Sequence, residues 1–226
     1  MTTTLVTGAN KGLGLETTRR LIAAGHTVHA GMRDLDTGDA ARELGALPVQ
    51  LDVTDQDSVD KAIASLPGLD VLVNNAAVAG PSWTLDDLDV EAMRIAYETN
   101  VFGIVRVTQA ALPLLRRSAN PVIVNVASSL GFPRALLDPA DDAYHGLLVP
   151  YASSKGAVIA LTVQYAKNLP EMRINASDPG YTATDLNQHN GHQTVTEGTD
   201  ATVALALLGP DGPTGEFHNR LGRIDY

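Results

Sequence analysis

Short β-branched and apolar runs alternate with longer helix-like stretches along this chain, and that alternation restricts its possible folds more than any other feature. Thr3 to Thr7, Thr27 to Gly31, Val49 to Leu51, Val71 to Asn74, Val122 to Val126 and Arg173 to Ala176 read as buried strands. Between them, Gly14 to Ala24, Thr37 to Leu44, Asp57 to Ser65, Asp89 to Leu115 and Tyr151 to Leu169 read as helices. Strict alternation implies right-handed crossovers and a parallel sheet covered on both faces, with ligands at the carboxyl ends of the strands. The expected fold is therefore a doubly wound α/β sheet. At 226 residues the chain is long for one domain and short for two, and it has no repeat, low-complexity segment or linker. A single domain over 1–226 is expected, closed by a helix over Ala201 to Leu208, a turn from Gly209 to Pro213 and a last strand near Thr214 to Phe217.

Composition removes several functions. A formal net charge of -10 repels nucleic acid and anionic lipid, so an anionic ligand must be held by local groups. The absence of cysteine excludes disulfides and thiolate metal sites and suits a reducing cytosol. With a first strand at Thr3-Thr4-Leu5-Val6 there is no room for a leader, and no apolar run reaches membrane-spanning length. A cytoplasmic protein, away from nucleic acid and membrane, is the expectation.

Thr7 to Gly14, TGANKGLG, joins the first strand to the first helix. Gly8 permits a tight exit from the strand, Gly12 lets backbone approach a pyrophosphate, and Gly14 lets the helix pack closely, its N-terminus facing the phosphates. The lysine precedes the second glycine, so this is no P-loop but a dinucleotide loop of Rossmann type, with Gly8, Asn10, Lys11, Gly12, Leu13 and Gly14 as cofactor residues. After the second strand an NAD enzyme usually places a carboxylate on the ribose; here stand Met32 and Arg33, followed by Asp34. Arg33, with Lys11, suits the 2′-phosphate of NADP(H), which is therefore expected over NAD(H).

Tyr151 to Lys155, YASSK, opens the last long helix. Residues four apart share a helical face, so phenol and ammonium point the same way, and the ammonium is expected to lower the tyrosine pKa. The pair is a candidate acid/base.

The spacing T-G-x-x-x-G-x-G with Y-x-x-x-K resembles the short-chain dehydrogenase/reductase family in its ordinary, non-extended form, over essentially the whole chain. The resemblance implies further roles. Asp52 and Val53 match the pair that holds the adenine, and Asn74-Asn75-Ala76-Ala77 is similar to the family's N-N-A-G, placing Asn74 and Ala76 at the cofactor. Asn100 matches the helix asparagine that supports a proton-relay water. Ser128, three residues before Gly131, matches the catalytic serine, with Ser129 as the fallback. Pro179-Gly180-Tyr181-Thr182-Ala183-Thr184 resembles the segment against the nicotinamide, with Pro179, Gly180 and Thr182 beside the cofactor and Thr184 on its carboxamide. Lys155 is further implied to bond the nicotinamide ribose, and Gly212-Pro213-Thr214-Gly215 resembles tails of carbonyl-reductase-like members.

The expected activity is NADPH-dependent reduction of a small-molecule carbonyl, or oxidation of the alcohol, with Tyr151, Ser128, Lys155 and Asn100 as catalytic residues. A non-catalytic NADP(H)-binding regulator or scaffold is the alternative; the filled catalytic positions speak against it. Two stretches border the substrate. In Pro133 to Val149, Asp138, Asp141 and Asp142 are expected in solvent, with Leu136, Leu137, Leu147 and Leu148 as an apolar wall, while Tyr144 and His145 are further extra residues. Asp185 to Gly198 resembles a short lid, whose His189 and His192 are read as structural or solvent-facing rather than metal ligands. Family members often pair through the helices here at Asp89 to Leu115 and Tyr151 to Leu169, where Ser153, Gly156 and Ala160 would permit close contact, so a homo-oligomer is expected.

Overall fold

A computed structural model describes residues 2–82, 84–145 and 148–225, the side chains of Tyr144 and His145 excepted. The readings made for Tyr144, His145 and Leu147 lie outside what is described. The strands are β1 (Thr3–Thr7), β2 (Thr27–Met32), β3 (Leu47–Gln50), β4 (Val71–Asn74), β5 (Val122–Val126), β6 (Arg173–Ser177), β7 (Phe217–Asn219) and β8 (Gly222–Ile224). The helices are α1 (Gly12–Ala23), α2 (Asp39–Glu43), α3 (Gln56–Ala64), α4 (Val90–Tyr97), α5 (Gly103–Leu115), α6 (Pro133–Leu136), α7 (Val149–Asn168), α8 (Val195–Gly198) and α9 (Asp200–Ala206).

The strands form one 8-stranded sheet in the order β3-β2-β1-β4-β5-β6-β7-β8. Every neighbouring pair from β3 to β7 is parallel, and β8 returns antiparallel on β7. The expected doubly wound fold is therefore present. Alternate strand residues supply opposite layers. Leu5, Leu72, Ile123 and Ile174 pack with residues of α3, α5 and the end of α7, whereas Val6, Val73 and Val124 pack with residues of α1, α2 and α9. Strand order reverses between β1 and β4, where such sheets open a crevice for ligands.

Some boundaries differ from the sequence reading. The third strand begins two residues early, at Leu47, because its ladder partner is His29 of β2. The last parallel strand falls at Phe217–Asn219 rather than Thr214–Phe217, and the hairpin to β8 had no strong local signal. The long helix from Asp89 is interrupted by a π turn, Glu98–Phe102, that contains Asn100. Such turns shift the hydrogen-bond ladder by one residue and recur at functional sites. After it, Gly103 packs on Val53: a Cβ there would lie 2.9 Å from a Val53 methyl carbon.

Gly156 was read as a possible subunit contact. Inside the chain it faces Gly131, in the turn Ser129–Gly131 that follows β5, and a Cβ on Gly131 would come within 2.3 Å of the Gly156 nitrogen. Its small size thus has an intramolecular cause, and Ala160, on the same helix, is exposed. Gly131→Ala is expected to lift α7 off that turn and destabilise the fold by about 1–3 kcal/mol. A urea midpoint unchanged from wild type would show that the contact is not needed.

Candidate active site

The cleft at the switch point has a volume of about 920 Å³. Its floor begins at the end of β1. Thr7 Oγ1 accepts the backbone N–H groups of Asn75 and Ala76, each at 3.0 Å, fastening the loop after β4 to the strand. The Asn75 amide donates to the carbonyls of Thr7 (2.8 Å) and Gly8 (3.1 Å). Gly8 and Gly12 take φ of 64° and 55°, which disfavours other residues, and a Cβ on Gly14 would lie 2.2 Å from the Gly8 carbonyl oxygen. On the cleft side of Gly12 the nearest atom such a Cβ would meet is the Thr184 methyl, at 3.9 Å. A glycine loop with open space above it and the N-terminus of α1 behind it fits a pyrophosphate.

The residues expected at the cofactor divide into two groups. Gly8, Asn10, Lys11, Gly12, Leu13, Gly14, Arg33, Asp52, Val53, Ala76, Tyr151, Lys155, Pro179 and Thr184 line the cleft. Asn74, Gly180 and Thr182 do not. Asn74 is buried, its amide donating to Asn125 Oδ1 (2.9 Å) and Thr108 Oγ1 (3.2 Å), so it joins β4 to β5 and α5; its neighbour Asn75 lines the cleft instead. Thr182 is buried with its hydroxyl on the Pro179 carbonyl (2.9 Å), and Gly180 turns with φ 66° towards Gln193. Residues after Ala77, from Val78 to Pro81, also line the cleft, and only their place after β4 could have signalled it.

The charged groups near β2 differ in their commitments. Asp34 caps its own turn, accepting the Asp36 N–H at 2.9 Å. Lys11 forms an ion pair with Asp185 across the cleft at 2.6 Å, and Asp185 also meets His189 at 2.9 Å. Arg33 has no ion-pair or hydrogen-bond partner among the described residues. Asp52 accepts the Thr54 N–H (2.9 Å) and hydroxyl (2.7 Å) through one oxygen.

On the far side of the cleft, Tyr151 is buried at the start of α7, with the Ser128 side chain near enough to its phenol to favour the phenolate. Lys155, one turn on, is 2% exposed; its ammonium donates to the Val126 carbonyl at 2.6 Å and lies 5.4 Å from the Tyr151 ring centroid. The expected lowering of the tyrosine pKa by this ammonium is not found. Burial raises Tyr151 above the ordinary phenol range, the Asp178 carboxylate adds to the rise, and only the Ser128 side chain opposes it. The ammonium stands over the ring and spends itself on a carbonyl. Lys155 itself is pulled down to about 8 by burial, against the pull of Asp178.

Ser128 and Ser129 have different partners: Ser128 Oγ accepts the Leu130 N–H at 3.2 Å and is felt by the Tyr151 phenol, whereas the Ser129 hydroxyl donates to Asp178. Asn100 is wholly buried, its Oδ1 accepting the Val78 N–H (2.8 Å) and its amide donating to the Val78 carbonyl and to Ser154 Oγ, both at 2.9 Å. Both ends of that side chain are engaged, so it braces α7 against the cleft wall. Ser154, whose hydroxyl also donates to the Tyr151 carbonyl at 2.7 Å, completes that brace and was missed because serine in a helix carries no signal.

The bordering segments are structured. α6 opens the first, Leu137 is 79% exposed and so is no part of an apolar wall, and the side chains of Leu136 and Leu148 are partly buried outside the cleft lining. Asp138 and Asp141 accept the Ala140 and Ala143 N–H groups at 3.0 and 2.9 Å, while exposed Asp142 lies 3.5 Å from His192. In the second segment a bridge joins Thr182 to Gln193, and the His192 ring lies against Tyr181. Among the described residues no helix is long and apolar enough to cross a membrane.

The family model described as short chain dehydrogenase matches residues 2–194. A (+)-neomenthol dehydrogenase of Capsicum annuum is 30% identical, with 96% of this chain and 95% of that one covered. That alignment runs over 297 residues, more than the 226 here, so the relative carries insertions this chain lacks. Salutaridine reductase of Papaver bracteatum is also 30% identical, covering 95% of this chain and 93% of its own. The solved structure of NADPH-bound carbonyl reductase from chicken fatty liver superposes with a TM-score of 0.86 at 29% identity, over 99% of this chain and 98% of that one. With its sheet order, its glycine loop and these relatives, the chain belongs to the short-chain dehydrogenase/reductase family, an NAD(P)-dependent oxidoreductase of carbonyl and alcohol substrates.

Proposed function

We propose that the protein is an NADPH-dependent carbonyl reductase, and in reverse an alcohol dehydrogenase, acting on a small or medium apolar substrate. The observation that carries this reading is the buried Tyr151 phenol in the cleft lining, one helical turn from the buried Lys155 ammonium and kept protonated by its surroundings. A general acid must hold its proton at the working pH and release it only as charge builds on the substrate.

The backbone of the glycine loop and the N-terminus of α1 would hold the pyrophosphate, Asp52 and Val53 the adenine, and Thr184 the nicotinamide carboxamide. The nicotinamide supplies the hydride when bound. In reduction, Ser128 donates a hydrogen bond to the carbonyl oxygen and stabilises the charge developing there, and Tyr151 delivers its proton to that oxygen. Lys155, which has donors to spare beyond the Val126 carbonyl, would hold the nicotinamide ribose and offset the charge left on the phenolate. Asn100 supports the reaction through position, since it holds Ser154 and with it the first turn of α7.

NADPH is favoured over NADH because Arg33 stands unengaged at the end of β2, where the first turn of an NAD site would offer a carboxylate, and Asp34 is occupied by its own turn. The NADPH-bound relative supports the same choice.

NADPH oxidation against a panel of ketones, aldehydes, quinones and acyl-thioester ketones tests the reading. Tyr151→Phe is expected to lose roughly 100-fold or more in turnover while still binding NADPH. Ser128→Ala is expected to impair turnover far more than Ser129→Ala; the reverse ranking would move the oxyanion contact to Ser129. A Tyr151→Phe protein with undiminished turnover under chemistry-limited conditions would exclude tyrosine as the acid.

The cofactor preference has its own test. A hydrogen bond between charged groups contributes on the order of 1.5–3 kcal/mol, so Arg33→Ala is expected to weaken NADPH roughly 10- to 150-fold and leave NADH nearly untouched. Met32→Asp is expected to go further, repelling the phosphate and offering the ribose an acceptor. Titration of both cofactors decides it, and a wild type that prefers NADH would refute the assignment.

A further inference from the structure

Asp178 is the one buried carboxylate among the described residues, at 5% exposure, and the proposed mechanism leaves it without a task. It follows β6 and precedes the Pro179–Gly180 turn. Its Oδ2 accepts the Ser129 hydroxyl, and its Oδ1 accepts the Gly180 N–H at 3.0 Å. Its own N–H donates to the His218 carbonyl of β7 at 2.7 Å. These bonds join the turn after β5, which starts with Ser128, to the segment that enters the cleft at Pro179.

We propose that Asp178 is a positioning residue for the Ser128–Tyr151 pair: its carboxylate locks the turn after β5 to the Pro179–Gly180 turn and fixes a negative charge beside the phenol. The inference rests on Tyr151 being the acid.

The groups around that carboxylate determine the sign of its effect. From α7 it faces Tyr151 and Lys155, and from the segment before α7 it faces Asp141. The turn after β5 presents serine hydroxyls, and β7 presents a main-chain carbonyl, the His218 ring being paired with Glu216. Burial raises Asp178 above the usual carboxylate value, with Asp141 adding to it, while the Ser129 and Gly180 donors oppose the rise. In the alkaline range where a phenol gives up its proton, the carboxyl is ionised. A phenolate formed there would face a second anion, so Tyr151 keeps its proton to higher pH. Reduction needs the protonated phenol, hence the alkaline limb of its rate lies higher with Asp178 than without it. Oxidation uses the phenolate as base, and its rising limb lies higher too.

The replacements separate charge from clamp. Asp178→Asn keeps the shape, with an oxygen for the Gly180 N–H and an amide for Ser129, but removes the charge. Asp178→Ala removes both, and Ser129→Ala loosens the clamp while leaving the charge. The turnover number is measured against pH at saturating NADPH with a carbonyl from the panel. Asp178→Asn and Asp178→Ala are each expected to move the alkaline limb down by about one pH unit. In the alcohol-oxidising direction the rising limb moves down with it. Ser129→Ala is expected to lower turnover with its limb at the wild-type position.

Wild-type limbs in the neutral variants would overturn the proposal, as would an equal shift in Ser129→Ala, which would trace the effect to turn geometry. If Tyr151→Phe retained turnover, the acid assignment would fail instead, a separate outcome. A readout free of turnover is the ring carbon resonance of Tyr151, assigned by its loss in Tyr151→Phe. Ionisation starting at lower pH in Asp178→Asn supports the proposal, and an unmoved titration overturns it.

Discussion

Lys155 heads the largest fully buried side chains among the described residues, and its ammonium has a single hydrogen-bond partner among them, the carbonyl at the end of β5. Burial of a charge is costly unless it is satisfied, and here the cost shows as a pKa drawn down to about 8. Because the unfolded chain binds this proton up to its ordinary value near 10.5, the residue's contribution to stability rises with pH between those two values. Below them it subtracts from stability. A packing-only role would be filled better by an apolar side chain, and a charge retained at a cost to stability accords with the catalytic part proposed for Lys155.

That buried charge dictates how α7 must dock. The ammonium reaches the β5 carbonyl only if the helix lies almost against the turn that follows, and the Gly131–Gly156 approach allows it. On the opposite side, the bonds from Asn100 to Ser154 and from Ser154 to the Tyr151 carbonyl hold the first turn of the helix. The π turn around Asn100 belongs to the same arrangement, since it turns that side chain to meet both Val78 and Ser154. Glycine, asparagine and serine thus position the tyrosine with little of their own bulk.

Much of this was legible in the chain. Buried parallel strands are nearly continuous apolar runs, so β1, β4 and β5 were found to the residue, and glycines forced by backbone geometry announced the loop after β1. Three kinds of feature were hidden. Two adjacent asparagines face opposite ways at a strand end, so Asn74 entered the interior and Asn75 the cleft, a parity that composition does not reveal. The π turn left no composition mark because its residues are ordinary helix formers. Thr182 and Gly180 were displaced from the cleft by contacts with Pro179 and Gln193, which depend on the path of a loop and on no periodic pattern. The electrostatic error was of another sort: spacing put phenol and ammonium on one face, but the energy of the pair was decided by what surrounds them.

Tyr151 and Lys155 are pushed in opposite directions by the same burial, the phenol up and the ammonium down, since each resists becoming or remaining charged. Groups driven apart in this way can take distinct acid/base duties within one site. Asp178 acts on both in one direction, adding to burial at the phenol and opposing it at the ammonium, so that it favours the proton on each. A proton moved from Tyr151 to a substrate oxygen therefore leaves an anion between a neighbouring anion and a cation. The position of Lys155 over the ring, rather than at the hydroxyl, leaves the phenol oxygen open to Ser128 and to substrate while keeping a compensating charge 5.4 Å from the ring centre. In the proposed reaction these two charges together, rather than either one alone, set how readily the proton leaves.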